Sequence, residues 1–144
     1  MTAATDYLEL AVLKHIFSGT NGSTNGATYT APTTFYVSLH TGDPGEGTQP
    51  GANEISTSGY NYARESVTFG DCTTVTNTTS VSSNQTVSFG QASANYPADI
   101  TYIGINDAST GGNLLFYGQL SQAKTVTTGD VFQINSGSLT ITLN

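Results

Sequence analysis

Apolar residues follow two different rhythms along this chain. Near the start they crowd together: Tyr7, Leu8, Leu10, Ala11, Val12, Leu13, Ile16 and Phe17 fall within eleven positions. This density predicts a helix, with Thr5 as its N-cap, Asp6 and Glu9 in its first turn, and Lys14 and His15 in its last. Gly19 is placed to stop it. At about 100° per residue these side chains do not share one stripe. Leu8 and Val12 point one way, Leu13 and Phe17 roughly the other. A helix that is apolar on most sides needs more than one surface to cover it. Two arrangements supply that: a clamp between its own sheet and a loop, or a helix shared with a neighbouring subunit. Leaving three or four such side chains wet would forgo roughly 5–10 kcal/mol.

From residue 34 onward the rhythm becomes two. Phe35, Val37 and Leu39 alternate with Tyr36, Ser38 and His40, which predicts a half-buried strand. A second strand is predicted over 60–69, with Tyr60, Tyr62, Arg64 and Ser66 on one face. Weaker strand character covers 73–81, and alternation returns over 84–89 and 100–105. Residues 114–120 are apolar enough for burial on both faces. Strands over 131–134 and 139–143 close the chain, with Asn135-Ser-Gly-Ser as the turn between them. Between helix and strands, residues 19–33 hold glycines and short polar residues without apolar periodicity, the signature of a flexible loop. A second turn-rich loop spans 41–52, and Asp107-Ala-Ser-Thr-Gly-Gly-Asn reads as a hairpin loop.

The pattern therefore predicts a mainly β fold. It is an antiparallel β-sandwich, jelly-roll or immunoglobulin-like, of about eight strands with one N-terminal α-helix. The expected organisation is a single domain over 1–144: helix to residue 18, flexible loop over 19–33, sandwich over 34–144. A length of 144 residues suits one domain.

Composition removes several functions. Only Lys14, Arg64 and Lys124 are basic, against ten acidic residues, for a net charge of −7. Three cations cannot build a phosphate-tracking stripe, so nucleic acid is not an expected partner. An anionic membrane surface is disfavoured for the same reason, and no apolar run approaches the roughly 20 residues of a membrane span. Cys72 is the lone cysteine, which excludes an intrachain disulfide and a multi-cysteine metal site. The first residues lack the basic start and cleavage site of a signal peptide. Ser and Thr number 40, so the surface is largely neutral hydroxyl.

Candidate chemistry is sparse. Asp43 and Glu46 could contribute to a calcium site, but calcium wants six to eight oxygens, and Asp43-Pro44-Gly45 reads as turn chemistry. His15 and His40 are the only imidazoles, and neither stands in a nucleophile-elbow or zinc spacing. Asp71 beside Cys72 disfavours a thiolate. No catalytic residue, metal site or cofactor is expected. Arg64 reads as a salt bridge with Glu65 or an acidic loop, with an intersubunit ion pair as the alternative. Tyr60, Tyr62, Tyr96, Tyr102 and Tyr117 read as packing residues of the sandwich rim, or as a platform for sugars or a partner surface.

Several segments together resemble small virion proteins of tailed bacteriophages that are often labelled phage tail fibre proteins. They are Asp6-Tyr7-Leu8-Glu9 with its helix, Phe35-Tyr-Val-Ser-Leu-His-Thr-Gly-Asp-Pro-Gly-Glu, and Asn53-Glu-Ile-Ser through Gly59-Tyr-Asn-Tyr-Ala-Arg-Glu-Ser-Val-Thr-Phe. The run Ile103-Gly-Ile-Asn-Asp-Ala-Ser-Thr-Gly-Gly-Asn-Leu-Leu-Phe-Tyr-Gly and the stretch 124–143 complete the set, while 73–83 matches least. The resemblance implies a virion location on the exterior of head or tail, after assembly in the host cytoplasm. It implies other virion proteins, major capsid or tail, as partners, and a homo-oligomer such as a trimer. The expected role is structural and non-enzymatic: a capsid decoration or cement protein, or a tail-associated accessory. Host-surface glycan recognition by a tail fibre is the alternative. Tyr7, Leu8, Val12 and Phe17 of the helix, Asp43 and Glu46 of the 41–52 loop, and Arg64 are the expected partner-binding residues.

Overall fold

The computed structural model describes residues 3–17, 30–47 and 49–143. Of the predicted loop, residues 19–29 lie outside the described residues, as does Ser18 of the predicted helix. The elements run β1 (Ala3–Ala4), α1 (Asp6–Phe17), β2 (Phe35–His40), β3 (Glu65–Val67), β4 (Thr73–Val75) and β5 (Thr78–Ser82). They continue with β6 (Val87–Ser88), β7 (Ile100–Asn106), β8 (Leu114–Lys124), β9 (Gln133–Ile134) and β10 (Thr140–Leu143). Every strand pairing among them is antiparallel. The main sheet has the order β1-β8-β7-β2-β3, and two smaller sheets pair β10-β5-β4 and β6-β9.

Alternation along β2 sets the layers. Val37 lies opposite Ile105 and Leu39 opposite Ile103, so these four side chains share one face of the main sheet. The small sheets meet that face with their own register pairs, Val81 with Ile141 and Val87 with Ile134. Val37, Leu39, Ile103, Ile105, Val87, Ile134 and Ile141 all belong to one buried cluster, with Val81 packed against it. Aromatic rings fill its ends: Tyr62 stacks on Phe89 at 6.0 Å, and Phe35 meets Phe69 edge-on at 5.9 Å. This is the antiparallel sandwich with one N-terminal helix that the periodicity predicts.

The other face of the main sheet carries Tyr36, Ser38, His40, Tyr102, Gly104 and Asn106. The loop after β2 folds back along it. Thr41 N–H donates to Asn53 at 2.9 Å and Ile55 N–H to Leu39 at 3.0 Å, returning the loop's end to the strand it left. Arg64 then ties that end to the β7–β8 hairpin, as described below.

Four local expectations change. The strand predicted over 60–69 shortens to β3, because Asn61 adopts a positive φ of 55° and spends its amide on the Gln91 carbonyl. The weak strand over 73–81 is a hairpin, turning at Thr76 and Asn77, whose φ values of 46° and 65° suit a two-residue turn. The last two predicted strands are not partners: β9 pairs with β6 and β10 with β5, so the 135–138 turn carries the chain from one small sheet to the other. Ala3–Ala4, with no periodicity to betray it, adds a short edge strand to β8.

Candidate functional site

The root of α1 is built from β8. Thr5 N–H donates to the Leu115 carbonyl at 3.0 Å, and the Thr5 carbonyl accepts the first helical N–H, from Glu9, at 3.0 Å. Thr5 thus stands where the N-cap was expected. Its hydroxyl, however, donates to the Leu114 carbonyl at 2.6 Å, so it ties the helix to the sheet. Gln49 completes the anchorage: its amide accepts from Leu114 N–H at 2.6 Å and donates to Leu114 C=O at 3.2 Å, like a neighbouring strand.

Beyond that root the helix is barely covered. Leu8 is its only buried residue, at 8% exposure. Tyr7 is 36% exposed, Leu10 53%, Val12 42%, Leu13 55%, Ile16 63% and Phe17 66%. Six of the eight large apolar side chains exposed among the described residues therefore lie on one twelve-residue helix. Beside it runs an apolar groove of about 550 Å³, with Leu8, Val12 and Leu13 on one wall and Phe35, Leu115 and Phe116 on the other. Phe35 and Phe116 also border a second apolar cavity of about 350 Å³, which reaches Val81, Ile105 and Ile141 between the layers. Contiguous exposed apolar surface is uncommon on a protein that stands alone.

The expected partner-binding residues separate into two groups. Tyr7, Val12 and Phe17 are displayed on α1, and Asp43 and Glu46 are exposed on the 41–52 loop. That loop adjoins the start of the helix: a side chain at Gly47 would lie 3.1 Å from the Asp6 carboxylate. Asp43 also closes its own turn, accepting from Gly45 N–H at 2.8 Å. Leu8 and Arg64 face inward instead. Leu8 packs toward β8, and Arg64 is 8% exposed. Phe17 is the most exposed of the helix's large apolar residues, and Leu10, Leu13 and Ile16, which were not among the expected partner-binding residues, are more exposed than Tyr7 and Val12; helical phase relative to buried Leu8 is the signal that finds them.

Arg64 pairs with Glu54, at the end of the loop, and not with Glu65. Neighbouring residues on an extended chain point to opposite sides, which keeps Glu65 out of reach. Arg64 Nε donates to Glu54 Oε1 at 2.8 Å and Nη2 to Oε2 at 2.6 Å. Its Nη1 donates to the carbonyls of Ala108 and Gly111, at 3.0 and 2.8 Å. Burial pulls the Arg64 pKa down, but the Glu54 hydrogen bonds and charge outweigh it, and the net shift is upward. Tyr62 donates its hydroxyl to Glu54 and accepts from Leu39 N–H; burial, then the Glu54 charge, push its pKa up.

His40 was expected at a strand end and sits there, but as part of a buried polar network. Its Nδ1–H donates to the Ala52 carbonyl at 2.7 Å, which leaves Nε2 to accept from the Ser38 hydroxyl at 2.8 Å. Asn106 Nδ2 donates to Ser38 Oγ at 2.7 Å. Burial holds the His40 pKa below the ordinary range, against the opposing pull of the Ala52 carbonyl and Glu54. A serine against a histidine is the beginning of a nucleophilic site, but Ser38 and His40 are both fully buried and offer a substrate no approach. The network instead pins the 41–52 loop to the sheet.

Among the described residues, no three His, Cys, Asp or Glu side chains stand close enough to hold a metal ion, and no helix is long and apolar enough to cross a membrane. Three of the five candidate tyrosines are packing residues: Tyr62 and Tyr96 are buried, and Tyr60 meets Tyr96 edge-on at 5.9 Å. A mixed cleft of about 360 Å³ lies elsewhere, where Gln119, Lys124, Gln133 and Asn135 surround an apolar floor of Ile103, Leu120 and Phe132.

The chain matches no curated protein. The family model described as podophage GP4 fiber I protein gp80 matches residues 3–142, from β1 into β10. With α1, the loop and all three sheets inside that match, the chain belongs to this podophage fibre-protein family and is a structural component of the phage virion.

Proposed function

We propose that this chain is a non-enzymatic accessory protein on the exterior of the phage head or tail, assembled in the host cytoplasm and held to neighbouring virion subunits by α1. It acts as one domain, either decorating and cementing the capsid lattice or joining the tail. The observation that carries this reading is the helix: rooted firmly at Thr5, yet with Leu10, Leu13, Ile16 and Phe17 more than half exposed. Covering a side chain of this size is worth about 1.5–3 kcal/mol when complete, so a neighbour that seats four of them gains most of a stable contact. Asp43 and Glu46, on the loop beside the helix start, add a negative border that steers the choice of partner.

Two measurements test it. Quantitative mass spectrometry of purified virions gives the copy number against the major capsid protein: hundreds of copies support lattice decoration, a few dozen a tail position. Particles carrying Leu10→Asp with Leu13→Asp should lose the protein; normal occupancy by that variant refutes docking through α1.

A second reading, glycan recognition at the host surface, draws support from the mixed cleft. Amide side chains over an apolar floor suit a sugar, whose hydroxyls need donors and acceptors and whose ring face needs a dry surface. Binding on a glycan array that is lost in Gln133→Ala with Asn135→Ala would establish it.

A further inference from the structure

The outer stripe of α1 has the order of a short coiled-coil seam. Leu8 fixes the helix's rotation, because it is the one buried side chain. At about 100° per residue, the direction opposite Leu8 is occupied by Leu10, Leu13 and Phe17. Their spacing of three then four residues is that of a, d and the next a in a heptad. Glu9 directly precedes the first of them and Lys14 directly follows the second, which puts the two charges at g and e, one on each flank of the seam. Among the described residues neither has an ion-pair partner in its own chain.

These charges choose both an occupant and an orientation. When two helices pair in parallel, a g residue of one faces the e residue five positions further along the other. Glu9 and Lys14 are five positions apart. In an antiparallel pair g faces g and e faces e, which would leave Glu9 and Lys14 on opposite flanks of the seam with no ion pair between them. We infer that α1 pairs in parallel with α1 of a second copy of this chain, with Leu10, Leu13 and Phe17 in the seam and Glu9 of each copy facing Lys14 of the other. The inference rests on the reading of α1 as a docking element and names the neighbour that covers its outer stripe. The groove along Val12, Phe35 and Phe116 borders the seam, since Glu9 and Leu13 also line it.

The test is sedimentation velocity on the purified full chain at about 10–100 µM, the range in which a small apolar interface associates. The wild type should self-associate. Glu9→Lys and Lys14→Glu should each dissociate about tenfold more readily, because both flanks of the seam then carry like charges. An equimolar mixture of the two single variants, and the Glu9→Lys/Lys14→Glu double variant, should recover wild-type association. Unchanged thermal unfolding would show that the single variants are folded. A wild type that remains monomeric, or a mixture no tighter than the single variants, overturns the inference. Loss of the Leu10→Asp/Leu13→Asp protein from particles, with a monomeric wild type, would leave docking to other virion subunits standing. A self-associating wild type whose Leu10→Asp/Leu13→Asp variant still fills particles would remove virion docking and keep the pair.

Discussion

Arg64 grips Glu54 by two parallel hydrogen bonds, Nε to Oε1 at 2.8 Å and Nη2 to Oε2 at 2.6 Å. The pair joins three segments that are distant in sequence, because the remaining guanidinium nitrogen holds the Ala108 and Gly111 carbonyls of the β7–β8 hairpin. Removing one partner would strand the other charge at a mostly buried site. Glu54→Gln should therefore cost about 3 kcal/mol, within the range for broken buried pairs. Arg64→Lys should cost a similar amount, since an ammonium cannot reproduce the fork. Urea unfolding of the purified variants checks both, and a loss below about 0.5 kcal/mol would show the pair to be no more than a surface contact.

His40 makes stability depend on pH in a defined direction. In the folded chain burial depresses its pKa, while in the unfolded chain it titrates near 6.5. Below that value the unfolded state binds a proton that the folded state refuses, so unfolding is favoured as the pH falls. The contribution is complete above about pH 6.5 and is lost below it with a slope of up to about 1.4 kcal/mol per pH unit. Glu54 and Arg64 are the charges that act on the ring. Midpoints of urea unfolding between pH 7.5 and 5 should fall for the wild type. They should fall less steeply for His40→Gln, which keeps an amide at the position and cannot titrate. Parallel curves for the two proteins would place the acid sensitivity elsewhere.

Gly104 is where the polar network leaves no room. A Cβ there would lie 2.5 Å from Ser38 Oγ, 2.6 Å from Leu114 Cδ1 and 3.0 Å from His40 Nε2. Gly104→Ala should thus overpack a rigid site, at about 1–3 kcal/mol, and should disturb the serine–histidine contact as well. Thermal unfolding reads the first effect. The second appears as a weaker pH dependence between 5 and 7.5, because a displaced His40 gains access to water.

The alternating apolar residues of β2 and β7 made the sandwich legible, since period two leaves little choice of which face is buried. Tertiary choices were less visible. Thr5 reads as a cap because nothing local reveals that Leu114 will claim its hydroxyl. Thr76 and Asn77 turn a hairpin without the glycine that normally announces one. Arg64 lies beside Glu65 in sequence but ten residues from its partner, and only the folded loop brings Glu54 to it. On α1 the composition showed that the helix needed more than one cover. Which residues face outward depended on the single contact that buries Leu8, and helix periodicity alone does not supply that contact.

Leu8 and Leu13 are the same residue type on one helix, and they should behave in opposite ways. Leu8 is 8% exposed, packed beside Leu115, while Leu13 is 55% exposed. Truncating Leu8 to Ala empties a filled site and should cost the isolated protein about 2–4 kcal/mol. Truncating Leu13 to Ala removes surface that water already reaches and should change its stability by less than about 0.5 kcal/mol. Assembly should reverse the order. Leu13→Ala weakens whatever covers the outer stripe, whereas a folded Leu8→Ala protein presents that stripe unchanged. Urea unfolding paired with virion copy number separates the two effects. Equal losses of stability at both positions would mean that α1 is covered within its own chain, and the helix would then be a core element instead of a docking surface.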